Sequence, residues 1–152
     1  MVKPSRKDWA WVFAISSVLI LMAYLHGPPV PQKTGPPVEF RTIHDQTRTM
    51  TDAQWQAYCR QMSGYGLTGS GWVGEVRKHG AFYSAHIGVT PPFPGIPFLQ
   101  GVVINDIPQN IALKMNKGEK VQYSGNITKI EKKLGAYLVV SINNADINRI
   151  EN

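Results

Sequence analysis

Between Gln100 and Ile130 the chain reads QGVVINDIPQNIALKMNKGEKVQYSGNITKI. Gln100 to Ile104 and Lys120 to Ile130 are rich in β-branched and aromatic residues with alternating polarity, the pattern of half-buried strands. Between them, Ile111, Leu113 and Met115 in the stretch Ile107 to Met115 suit a short helical or irregular crossover. Lys117-Gly118-Glu119 then makes the turn into the next strand. Working outward, Leu67 to Arg77 and Ala81 to Thr90 lie upstream and Tyr137 to Ile147 downstream, each bounded by glycine or proline clusters. Five strands are therefore predicted, with the crossover between the third and fourth. Gly74 and Gly125 stand where bends or bulges would let a small sheet close on itself.

Ahead of the strands, Thr51-Asp52-Ala53-Gln54 gives a helix start in which Thr51 caps, Gln54 reaches back and Asp52 sits at the positive end of the dipole. Trp55, Tyr58, Cys59 and Met62 share one face and Gly64 stops the helix, which is expected to lie across an open end of the barrel. The predicted class is mainly β, a five-stranded OB-fold barrel behind a short capping helix, because five strands with a crossover after the third follow that order.

Thr51 to Trp55 (TDAQW), Gly71 to Val76 (GWVGEV), Leu113 to Val121 (LKMNKGEKV), Tyr123 to Ile127 (YSGNI) and Val140 to Ile147 (VSINNADI) form a recognisable set. Residue by residue, these segments resemble the OB-fold proteins grouped as tRNA-anticodon-binding-like, common in bacterial and prophage genomes. The similarity spans roughly residues 51 to 147 and its elements are structural rather than catalytic. It implies a fold, and one fold hosts many activities.

The N-terminus is of another kind. Trp9 to Leu25 is seventeen residues without a charge, preceded by Lys3, Arg6 and Lys7 and edged by Trp9, Trp11 and Tyr24. Length, aromatic edges and flanking cations fit a bilayer-spanning helix with a cytoplasmic N-terminus. A removed signal peptide is the competing reading. The residues that follow, Met22-Ala23-Tyr24-Leu25-His26-Gly27 before Pro28-Pro29, offer no good cleavage site. The expected layout is a basic cytoplasmic tail at 1–8, a transmembrane signal anchor at 9–26, a proline-rich linker at 27–50 and the OB-fold domain at 51–152. Gly27 to Pro37 would be a semi-rigid spacer and Val38 to Thr49 an extended linker. The expected location is the bacterial inner membrane, single pass, with the C-terminal domain periplasmic.

Composition narrows the chemistry. The net charge of +6 splits evenly, with six Lys/Arg against three Asp/Glu in residues 1–50 and ten against seven in residues 51–152, so the barrel is only mildly basic. Cys59 is the sole cysteine, which excludes an internal disulfide and any cysteine-built zinc or iron-sulfur site. The four histidines lack metal-ligand spacing, and neither a nucleophile elbow nor a phosphate-binding loop is present. No catalytic residue, metal or cofactor is expected.

Two candidate surfaces remain. OB barrels bind ligands over the outer face of strands two and three, between the loops joining strands one to two and four to five. Those loops carry Arg77-Lys78-His79-Gly80 and Glu131-Lys132-Lys133-Leu134-Gly135, and strand two should turn Phe82, Ser84 and His86 outward. Arg77, Lys78, Phe82, His86, Lys132 and Lys133 would then suit an anionic polymer, an oligosaccharide or a single-stranded nucleic acid, the last not favoured. The second surface is the stiff loop Pro91 to Phe98 (PPFPGIPF), whose Phe93, Ile96 and Phe98 suit protein docking. The expected function is a membrane-anchored binding module that docks another envelope or membrane protein. Accessory membership of a larger membrane complex is a further alternative.

Overall fold

A computed structural model describes residues 33–93, 98–134 and 137–150. The expected anchor Trp9 to Leu25 lies outside the described residues. Among them, no helix is long and apolar enough to cross a membrane.

The chain runs β1 (Val38–Glu39), α1 (Phe40–Thr47), α2 (Asp52–Met62), β2 (Gly66–His79), β3 (Phe82–Gly88), β4 (Gly101–Ile107), α3 (Gln109–Ala112), β5 (Lys120–Lys133) and β6 (Tyr137–Arg149). The sheet order is β1-β2-β3-β4-β6-β5, and β2 also pairs β5, so five long strands close a mixed barrel. Among the five long strands all neighbours are antiparallel except β4 with β6, where Gly101 to Ile104 run alongside Val139 to Ile142. The five predicted strands are all present. β4 runs on past Ile104 to Ile107, with Asp106 in the left-handed region at φ 56°.

Both predicted bends are irregularities in the ladder. The register shifts between Val73 and Glu75, around Gly74. At Gly125 it shifts again, and β6 answers with Asn144 at φ 48°. A side chain at Gly125 would press on the Asn143 carbonyl at 2.9 Å, so a close backbone approach falls where the side chain is smallest. The Lys117 to Glu119 turn is stitched to β2, Gly118 N–H donating to the Val73 carbonyl at 2.7 Å and Val73 N–H to that of Glu119 at 2.8 Å.

Inward-facing Val73, Ala85, Ile87, Val102, Ile104, Val121, Ile127 and Ile142 fill the barrel. The capping box on α2 is complete: Thr51 Oγ1 accepts from Gln54 N–H at 3.4 Å, and Gln54 Oε1 accepts from Thr51 N–H at 2.9 Å. Met62 is buried, while Trp55, Tyr58 and Cys59 pack half-buried against the core.

The expected linker is where the structure departs from the sequence reading. Val38 and Glu39 pair in parallel with Leu67 and Thr68, and Phe40, Ile43 and Thr47 are buried. Attachment begins earlier still. Lys33 N–H donates to the Gly64 carbonyl at 3.0 Å, the Lys33 ammonium donates to the Gln61 carbonyl, and it lies 5.1 Å from the centre of the Tyr65 ring. Residues 33–50 therefore belong to the folded unit. The signals are weak: α1 is eight residues long, its N-cap Glu39 makes no side-chain capping bond, and one of its three buried positions is a threonine.

One buried group sets a pH limit on this core. Tyr123 is 2% exposed, and burial pushes its phenol from 10.0 up to about 12. The folded protein keeps that proton to higher pH than the unfolded chain does. Stability from the neutral phenol is complete below pH 10 and is lost as pH climbs to about 12, a total of about 2–3 kcal/mol. Tyr123→Phe is expected to flatten the decline of stability across that window, read from urea unfolding at a series of pH values. An unchanged slope would show that the phenol ionises as freely folded as unfolded.

Candidate functional site

On the outer face of β2 and β3, Glu75 lies opposite His86 and Arg77 opposite Ser84. With Val103 and Asn105 of β4 and with Lys133 and Leu134 at the end of β5, these residues line a groove of about 470 Å³. The two loops do approach one another, but they deliver fewer cations than expected. Arg77, His86 and Lys133 line the groove. Lys78 does not: it pairs with Tyr83 on the opposite parity of the strand and is exposed. Phe82 is 42% exposed opposite His79 at the hairpin tip and is not part of the lining. Lys132 turns away, its ammonium 4.5 Å from the centre of the Trp55 ring, and lines a different hollow with His44, Thr47, Arg48, Gln100, Tyr137 and Leu138.

Arg77 is engaged by Glu75 at 2.6 Å, which draws the Glu75 carboxyl below its usual range. Both side chains are more than half exposed, so the pair orders the groove rim more than it stabilises the fold. Among the described residues, no carboxylate lies within ion-pair distance of Lys133.

His86 forms part of the groove wall. Its ring meets Phe98 edge to face, with centroids 5.8 Å apart and planes at 78°. Its Nε2 is shielded from solvent and has no hydrogen-bond partner among the described residues. Burial, with the Lys133 charge next, holds the imidazole below its ordinary value; Arg77 acts in the same direction and Glu75 opposes it.

Phe98, expected as a docking residue, packs against the barrel while lining both the groove and the hollow beside it. Its ring occupies the space that side chains at Gly74 and Gly88 would fill, on the outer face of β2 and β3 beside His86. Phe93 is 67% exposed. Ile96 lies outside the described residues.

A second hollow, of about 270 Å³, adjoins the groove. It is lined by Val89, Thr90, Pro91, Phe93, Phe98, Leu99, Gln100 and Tyr137 and shares Phe98 and Leu99 with the first. Seven large hydrophobic side chains are exposed among the described residues, and five of them, Val89, Phe93, Leu99, Leu134 and Tyr137, line these two hollows. Leu99 and Leu134 line the polar groove, and Val89, Phe93 and Tyr137 carry the apolar surface on from Leu99 into the second hollow, the five together forming an apolar crescent. Leu134 is the extreme case, 80% exposed and at φ 50°.

Sequence reading turned Ser84 outward on this face but missed Glu75, Asn105, Leu99, Leu134 and Tyr137 as parts of the surface. Glu75 follows from extending the outward parity of His86 across to the neighbouring strand. Leu134 was in view at the tip of the second loop, beside the lysines.

Strand order, the parallel β4–β6 junction and the concave outer face between two hairpins define an OB-fold-like β-barrel. Compared with models of known protein families and with curated proteins, the chain matches none. Among the described residues, no group of three or more His, Cys, Asp or Glu is placed to hold a metal.

Proposed function

We propose that this chain is a non-catalytic binding module. In this reading Trp9 to Leu25 holds it at the bacterial inner membrane, and the barrel docks another envelope or membrane protein from the extracytoplasmic side. The apolar crescent carries the proposal, because a contiguous exposed patch rimmed by polar groups is costly in water and marks an interaction surface. Tethering would raise the local concentration of such a partner, so intrinsic affinity can be modest. We also read the likeness to the tRNA-anticodon-binding-like group as the ancestry of the barrel, resting on the motifs quoted above and carrying no tRNA partner. The groove argues less for a pure polyanion, since Lys78 and Lys132 turn elsewhere and Arg77 already faces Glu75.

The test is a crosslinked pull-down of the full chain in mild detergent. Replacing Phe93 and Tyr137 with serine is expected to strip specific partners while far-UV circular dichroism stays unchanged, both side chains being exposed. An identical partner list from the variant would count against docking through this surface.

A further inference from the structure

The groove and the crescent have different chemistry but share a wall, Phe98 and Leu99. Building on the docking reading above, we infer that together they take one segment of the partner in which an acidic side chain is flanked by large apolar ones. The carboxylate sits at Lys133, Arg77 and His86, and the apolar residues lie on Phe93, Leu99, Leu134 and Tyr137.

Charge complementarity selects that occupant. Two cations, Arg77 and Lys133, line the groove against the single carboxylate of Glu75, and Glu75 is engaged by Arg77. Lys133 is left facing the groove with no carboxylate at ion-pair distance among the described residues. Ser84 and Asn105 add polar groups along the floor. The His86 imidazole feels the same positive surroundings, held down by burial, Lys133 and Arg77. Covering this floor with a wholly apolar segment would desolvate the Lys133 ammonium without a partner. A polyanion without apolar groups would leave the crescent wet. A segment carrying both satisfies both halves at once.

The probe is a short fluorescent peptide with leucine and phenylalanine on either side of two glutamates, bound to the full chain in mild detergent and read by anisotropy. Replacing its glutamates with glutamine should weaken binding about tenfold, and lysine at those positions should weaken it further. Lys133→Glu should reverse the preference between the acidic and lysine peptides, whereas Phe93→Ser should weaken every peptide alike. In an NMR pH titration, the acidic peptide should raise the pKa of His86 by screening Lys133 and Arg77, in the direction Glu75 already acts and with His79 at the groove edge; the glutamine peptide should leave it in place. Equal binding of the acidic and glutamine peptides, or no binding of either, would overturn the inference. So would heparin or oligothymidylate competing equally well against wild type and Phe93→Ser, which would make this a polyanion site. If the pull-down still loses partners in the Phe93 and Tyr137 variant while acidity proves irrelevant, docking stands and only the charge preference fails.

Discussion

Ile43→Ala is expected to destabilise the barrel by about 2–5 kcal/mol, the usual cost of emptying a fully buried aliphatic site. Ile43 is 0% exposed and belongs to the same core cluster as Leu67, Ile127 and Leu138, although it precedes the first long strand by more than twenty residues. Were Val38 to Thr49 a linker, the same substitution would cost almost nothing. Chemical denaturation of Ile43→Ala beside the exposed control Thr42→Ala separates the two cases. A loss below about half a kcal/mol, the range of a surface substitution, would detach α1 from the core. A truncation beginning at Met50 is expected to suffer at least as much, because it also removes β1 and the buried Phe40.

Gly88→Ala should expel the Phe98 ring, and the effect should vanish when the ring is absent. The nearest atoms to a side chain at Gly88 all belong to Phe98, whereas at Gly74 the His86 carbonyl also lies close, at 3.2 Å. Gly88 is therefore the cleaner probe. Alone, the added methyl overpacks the slot and is expected to cost about 1–3 kcal/mol. In a Phe98→Ala background it has room, and its cost should fall to a few tenths, so the double-mutant cycle returns a coupling of about 1–3 kcal/mol. Additive effects would mean that Phe98 does not occupy the slot in solution. Release of Phe98 should also speed proteolysis of the loop after Thr90, an independent readout of the same event.

The strands were legible because alternation is a strong signal when each strand buries one face, and Val73, Ala85, Ile87, Val121 and Ile142 all obey it. The helix α2 was legible from its capping box. The α1 helix was not, since its burial depends on Leu67 and Thr68 offering an edge to Val38 and Glu39, a contact of high sequence separation. The site was half legible. Alternation forbids consecutive residues of one strand from facing the same way, so Arg77 and Lys78, or Lys132 and Lys133, could not both line one groove. The structure keeps one of each pair, Arg77 and Lys133. Phe98 could not be placed from its own loop, because its seat is made by two glycines on different strands, Gly74 and Gly88.

Under the proposed docking, Leu134 sets folding against recognition at a single position. A leucine in the left-handed region gives up about 1 kcal/mol that glycine would not, and its side chain gains little in return while 80% exposed. A sequence tuned for thermal endurance alone would place glycine or asparagine at that hairpin tip. Screens that reward heat resistance would drift toward such replacements and, if the proposed docking holds, toward a sturdier barrel that has lost part of its grip.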